Sequence, residues 1–301
     1  MITVDRPRDT DVHTLADFAE LLCLLDADRS ASRASIVDCI KDSGVSERAI
    51  PRDVDLDDCF SHIEWRSQAF SKWYPFRIIN DGRVIQAFPD LSDEMEVYCF
   101  LLLCANLPFL NVYHGRLTDA FERVSLACLK GFWPSGGVVK AFGKNEADYV
   151  GAKWQRVNAL GHDIGASARC VETTFREKDS GDAGIDIVAW LNLDPHERRN
   201  SITALGQCAC SRDEWVKKQT EISHDRLGNL IIPSSKWLPL LFIPQCFRDG
   251  TGEWAVDGDI GMTVIFDRLR IVNGLGDGFA LEQVNPPDEF IEFMKTRNDL
   301  V

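Results

Sequence analysis

The chain has 301 residues, of which 45% are hydrophobic and 27% charged. That is enough for one large domain or two ordinary ones with a buried core, and it excludes global disorder. The formal net charge of −14 opposes broad electrostatic contact with a polyanion, unless a local basic groove, a bound cation or a partner supplies positive charge. The longest apolar stretch, Val97–Leu103 with Cys104 and Ala105, is far short of the roughly 20 residues a bilayer requires. The N-terminal MITVDRPRDTDVH lacks the basic-then-apolar layout of a signal peptide, so a cytoplasmic protein with no membrane partner is expected. Ten scattered cysteines then read as reduced, mostly buried thiols, and the Cys208-x-Cys210 pair has no second pair at zinc-finger spacing.

In chain order, Thr14–Leu25 has apolar residues at helical spacing, Ser30–Ser43 reads as a shorter helix stopped by Gly44, and residues 51–58 read as an acidic linker. A third helix is expected over Leu56–Phe70. Phe76–Ile79 and Arg83–Gln86 flank Asn80-Asp81-Gly82, which predicts a hairpin. Ser92 is placed to cap a helix reaching Cys104. Pro108 and Gly115 mark a break, with a boundary expected near residues 108–116. Helices are predicted over Leu117–Lys130, ended by Gly131 and Pro134, and over Ala147–Leu160. From Ala168 the period shifts toward strand: Arg169–Phe175, Gly184–Leu191 and Ile202–Cys210, followed by a helix over Asp213–Ser223. Leu238–Cys246 and Met262–Val272 are further β candidates, and Glu289–Arg297 a terminal helix.

The chemistry-bearing text is Asp182-Ala-Gly-Ile-Asp186-Ile-Val, then Gly206-Gln207-Cys208-Ala209, then Trp215-Val-Lys217-Lys218. It implies two adjacent strands, the first carrying an acid and the second an amide. An Asp between two isoleucines on a buried strand is costly unless it is paired or binds a cation. Strand alternation predicts that Ile185 and Ile187 face the core while Asp186 faces a cleft, and that Gln207 and Ala209 share a face opposite Cys208.

This pattern, GIDIV followed by GQxA, resembles the core of the PD-(D/E)XK nuclease superfamily, the restriction-endonuclease-like enzymes, over about a third of the chain. The resemblance implies a mixed α/β fold, a central mixed sheet flanked by helices. The chain would then divide into a mainly helical N-terminal region (1–110), a candidate partner-docking unit, and a nuclease-like core (111–301) with a β-rich C-terminal extension. It also implies Mg²⁺ or Mn²⁺ held by Asp186, Gln207 and the Cys208 main-chain carbonyl. Metal-assisted phosphodiester hydrolysis, in a bacterial restriction or anti-phage setting, would be the activity.

Two departures stand out. Position 209, where the family places its lysine, is Ala, so Lys218 on the following helix is the candidate to position the attacking water, with Lys217 in reserve. Gln207 replaces an acid, and Asp182 or Glu122, in Phe121-Glu122-Arg123, is the candidate to restore charge. Lys144, Lys153 and Arg156, in a basic stretch that also holds Lys140, Tyr149 and Trp154, together with Lys217, are candidate nucleic-acid contacts. The expected partners are DNA, with RNA not excluded, and a protein partner or a second copy of the chain. Two alternatives share the fold: an inactive binding or regulatory subunit, favoured by Ala209 and the acidic charge, and a ribonuclease using the same site. Asp267-Arg268-Leu-Arg270 reads as an ion-pair cluster and Gly274–Gly278 as a turn. His162, His196 and His224 have no ligand spacing.

Overall fold

The architecture follows from two helices that are apolar nearly all round and one mixed sheet. The computed structural model describes residues 6–7, 10–42, 44, 46–47, 50–107, 110, 114–143, 148–176, 183–288 and 290–291. Helix α1 (Val12–Leu25) buries almost every residue, and α4 (Asp93–Ala105) is buried from Val97 onward. Each start is fixed by a side-chain cap, Asp11 accepting from the Thr14 N–H and Ser92 from the Met95 N–H. Helices α2 (Arg33–Asp42) and α3 (Asp53–Phe70) complete the N-terminal helices. The predicted hairpin forms as β2 (Phe76–Ile79) and β3 (Val84–Ala87). Its turn places Asn80, Asp81 and Gly82 all at positive φ, the conformation those residue types tolerate best.

Helix α5 (His114–Phe132) precedes β4 (Gly137–Ala141), α6 (Lys153–Asp163), β5 (Ser167–Ala168), β6 (Ile187–Leu191) and β7 (Thr203–Cys208). One-turn helices α7 (Trp215–Lys218) and α8 (His224–Leu227) follow, then β8 (Ile231–Ile232), β9 (Leu238–Phe242), β10 (Val264–Phe266) and α9 (Arg268–Leu275). The main sheet has the order β10-β9-β7-β6-β4. Its β4–β6 and β6–β7 pairs are antiparallel, and its β7–β9 and β9–β10 pairs are parallel. The fold is therefore mixed α/β with a mixed central sheet. One cluster of buried residues runs from Leu15 on α1 through α4 and α5 to Ile271 on α9, so its members lie on both sides of residue 110. A second cluster, including Val157, Val188, Leu205 and Trp237, covers the opposite sheet face.

Several local expectations are corrected. Residues 30–32 form a strand, β1, because Ser32 to Ser30 pair with Val84 to Gln86 and so extend the hairpin to three strands. The acidic 51–58 segment is already helical from Asp53, whose start is closed by Asp55 accepting from the Arg52 N–H at 2.8 Å. Helix α6 begins only at Lys153, after Gly151 at φ +99°. Residues 169–175 hold a 3₁₀ turn at Glu172–Thr174, not a strand. The 213–223 helix is cut to one turn, after which the Thr220 and Glu221 N–H groups bond back three residues to the Lys217 and Lys218 carbonyls at 3.1 and 3.0 Å. Only residues 264–266 of the 262–272 segment are strand; Asp267 then caps α9 by accepting from the Arg270 N–H. Gly131 does not end α5: it lets α5 approach α9 so closely that a Cβ there would overlap the Gly274 carbonyl. The predicted terminal helix lies mostly outside the described residues.

Asp17 and Glu20 of α1 are fully buried. Asp17 meets Arg66 at 2.8 Å, Arg268 at 3.0 Å and Arg212 at 2.5 Å. Glu20 meets Arg66 at 3.0 Å and accepts from the Tyr74 and Tyr98 hydroxyls, each at 2.8 Å. Burial opposes ionisation of Asp17, but the three guanidiniums outweigh it and hold the carboxyl far below its usual range. The Asp267-Arg268-Leu-Arg270 text is thus an ion-pair cluster, with Asp267 also bound to Arg248 at 2.7 Å.

Candidate active site

Strands β6 and β7 pair with Ile187 opposite Gly206. Carried one residue further, that register sets Asp186 opposite Gln207. The Asp186 N–H donates to the Gly206 carbonyl at 2.9 Å, and the Asp186 carbonyl accepts from the Phe142 N–H at 2.7 Å. Its carboxylate Oδ2 accepts from the Cys208 N–H at 2.7 Å. Asp186 is 8% exposed and Gln207 4%. The approach to Asp186 is irregular, with Ala183 and Gly184 both at positive φ. Ile185 and Ile187 consequently pack in different clusters on the two sheet faces, which corrects the expectation that they share one. On β7 the alternation holds, with Cys208 in one cluster and Ala209 in another.

Gln207 donates through Nε2 to Glu221 Oε2 at 2.5 Å, and its carbonyl Oε1 is buried with no hydrogen-bond partner. Glu221 also meets Lys218 Nζ at 3.2 Å and Arg226 at 3.6 Å. Lys218 therefore stands one carboxylate away from Gln207, although it lies on α7 and not on the strand. Gly184 makes room for this arrangement, since a Cβ there would meet Glu221 at 3.2 Å. Partial burial favours the neutral form of Glu221. The Gln207 hydrogen bond and the Lys218 and Arg226 cations outweigh it and hold the carboxyl below its ordinary value. Glu221 was not among the sequence candidates. Its i,i+3 spacing from Lys218 was visible, but nothing in the text placed it against a residue on β7.

Position 209 shows why a lysine would not sit there. Ala209 is buried in an apolar cluster with Trp215, Leu241, Ile243 and Ile265, where an ammonium would lose its hydration. Glu122 on α5 faces the same sheet end: a Cβ on Gly143 would lie 3.1 Å from its Oε2. Burial, with the nearby charges of Asp186 and Glu122, pushes the Cys208 and Cys210 thiols well above their ordinary values. The CxC pair is thereby kept protonated, unlike thiolate zinc ligands.

Arg212, in the loop joining β7 to α7, ties that loop to Asp17 of α1, so the N-terminal helices brace the segment that carries Lys218. The basic stretch is dispersed. Arg156 is buried and donates to the Phe142 carbonyl at 3.2 Å, which corrects its assignment as a nucleic-acid contact: it holds the β4 end. Lys140 pairs with Asp163 at 3.1 Å, and Lys153 lies 4.6 Å from the Phe175 ring centre beside a cavity of about 440 Å³. Lys217 is exposed on α7. Lys144 and Asp182 lie outside the described residues.

Among the described residues, no group of three or more His, Cys, Asp or Glu is arranged to hold a metal ion. The donor set at this site is instead mixed: the Asp186 carboxylate, the orphaned Gln207 Oε1 and the main-chain carbonyl of Cys208, with Glu122 nearby. Such hard oxygen donors fit Mg²⁺ or Mn²⁺, which retain several waters and need few protein ligands. The buried, unpartnered Oε1 is the observation that favours the fit, because leaving it unmade costs about 1–3 kcal/mol. No helix among the described residues is long and apolar enough to cross a membrane. Compared with protein-family models, curated proteins and solved structures, the chain finds no match.

Proposed function

We propose that this chain is a divalent-metal-dependent endonuclease that hydrolyses phosphodiester bonds in DNA, with Asp186, Gln207, Lys218 and Glu122 as its working groups. The observation that supports the reading is that Asp186 falls opposite Gln207 in the β6–β7 register, while Glu221 joins Gln207 to Lys218. A bound Mg²⁺ would polarise the phosphoryl oxygen and lower the pKa of a water at the site. Asp186, fixed by the Cys208 N–H, would be the anionic ligand, and Gln207, whose Nε2 is taken by Glu221, would have its unpartnered Oε1 left to offer. Lys218 orients the attacking water and offsets charge developing on the phosphate. Glu221 holds the Lys218 ammonium within reach of that position. Glu122 contributes a second negative charge, compensating for the neutral amide at 207.

With a net charge of −14, the chain needs help to hold DNA. A partner protein or a second copy is the proposed source of phosphate contacts, and the N-terminal helical region the proposed docking unit. Restriction or anti-phage defence follows from the family resemblance alone.

Supercoiled plasmid, single-stranded DNA and RNA incubated with Mg²⁺, Mn²⁺ or a chelator test this reading. Metal-dependent nicking of DNA is expected; cleavage of RNA alone would make the enzyme a ribonuclease. The same ions should raise the melting temperature by mass action, and Gln207→Leu should remove most of that rise. Neither nicking nor a melting shift at millimolar metal would leave a nuclease-fold binding module as the better description.

A further inference from the structure

A second candidate site lies beside α7, against Trp215 and Val216. A cavity of about 520 Å³ opens between the N-terminus of α1, the β7–α7 loop and the segment before β10. Its walls are aromatic. Trp215 and Phe247 stack with ring centres 5.3 Å apart and planes inclined by 17°, Trp254 lines the same space, and His13 meets the edge of Phe247 at 5.6 Å. The polar groups divide into two kinds. Arg212 has its side chain only 10% exposed, and its Nε and Nη1 have no hydrogen-bond partner; His13 Nδ1 is buried and likewise unpartnered. Asp213 and Asp259 add carboxylates to the lining.

This combination is selective. The aromatic lining and the volume suit a flat heterocycle of nucleobase size. The carboxylates repel a phosphate but accept from an exocyclic amino group. Burial lowers the His13 pKa to about 4, so at neutral pH the imidazole is uncharged and adds no attraction for anions.

We propose that this cavity binds an amino-bearing nucleobase of the adenine type, presented either as a free nucleoside or as an unstacked base of a nucleic-acid strand. The inference goes beyond the nuclease reading and requires no cleavage. Trp215 lines the cavity while Lys218, one turn along the same helix, belongs to the candidate active site, so an occupied cavity would also hold α7 in place.

Calorimetric titration of the intact chain in chelator tests it separately from any nuclease activity. The titrants are adenosine, inosine, a single-stranded oligonucleotide with a central adenine, and the same strand with that base removed. Saturable binding of adenosine, at least about tenfold tighter than inosine, is expected, because a site that hydrogen-bonds an amino group rejects the analogue lacking it. Loss of binding on removing the base from the strand would identify the strand as the source. Binding of the nucleoside alone would identify a free ligand. Trp254→Ala should abolish binding while leaving the circular dichroism unchanged, and the exposed Asp213→Asn should reduce the preference over inosine without affecting folding. Failure of both adenosine and the oligonucleotide to bind, or binding unchanged in Trp254→Ala and Asp213→Asn, would overturn the proposal.

Discussion

If the proposed nuclease reading holds, Lys218→Ala is expected to lower metal-dependent cleavage by about 10²–10⁴, the range a positioned proton-handling or charge-stabilising group supplies. Stability should hardly move. The Lys218–Glu221 pair is partly solvated, with side-chain exposures of 32% and 23%, and pairs of that kind contribute about 0–1 kcal/mol. That separation of activity from stability distinguishes a working lysine from a helix surface residue. Lys218→Arg keeps the charge and can keep the contact to Glu221. The guanidinium is broader and does not deprotonate, so it should restore only a small part of the rate. Cleavage by Lys218→Ala at the wild-type rate would show that the lysine at this site has no catalytic task.

Asp17→Asn is expected to destabilise the fold by about 3–5 kcal/mol, a large share of the roughly 5–15 kcal/mol that holds a domain together. The substitution leaves Arg66 and Arg268 fully buried and Arg212 nearly so, with Glu20 as the remaining carboxylate against the first two. Guanidiniums stay protonated, so the unbalanced charge cannot be relieved by titration. A denaturant titration reads the effect as a lowered midpoint. The pH dependence has a definite sign. The Asp17 carboxyl is depressed in the folded state, so its contribution is fully present above the unfolded-state pKa and is lost progressively as pH falls from there to the lower folded value. The difference between wild type and Asp17→Asn should therefore be full above the ordinary carboxylate range and shrink progressively as pH falls below it. A midpoint change worth less than about 1 kcal/mol would show that the cluster contributes little beyond an apolar substitute. Because Arg212 lies in the β7–α7 loop, the variant should also loosen the segment bearing Lys218.

Much of this organisation was legible in the chain. Helices α1, α3, α4 and α5 announce themselves by apolar periodicity, and the Asn80-Asp81-Gly82 turn by residue types that accept positive φ. The adjacency of Asp186 and Gln207 could be read because two short apolar runs separated by a polar loop imply neighbouring strands. Lys218 was legible only through a family resemblance, since propensity over residues 213–223 predicts a longer helix than the single turn that forms. What the text could not convey is long-range chemistry. Nothing local pairs Asp17 with Arg268, 251 positions away, or brings Glu221 against Gln207. Arg156 misled for the opposite reason: among lysines and aromatics it reads as a surface cation, yet it caps the Phe142 carbonyl from inside. Short strands such as β1 and β8 exist through their partners and leave almost no signal of their own.

The most direct test of the central claim is plasmid cleavage by the wild-type chain beside Asp186→Ala in Mn²⁺ and Mg²⁺, with both proteins matched by melting temperature in chelator. The account predicts metal-dependent nicking by the wild type and a loss of at least about 10³ in the variant, as expected when the carboxylate that holds the metal is removed. Equal cleavage by the two proteins would contradict it and place any nuclease activity somewhere other than the β6–β7 sheet end.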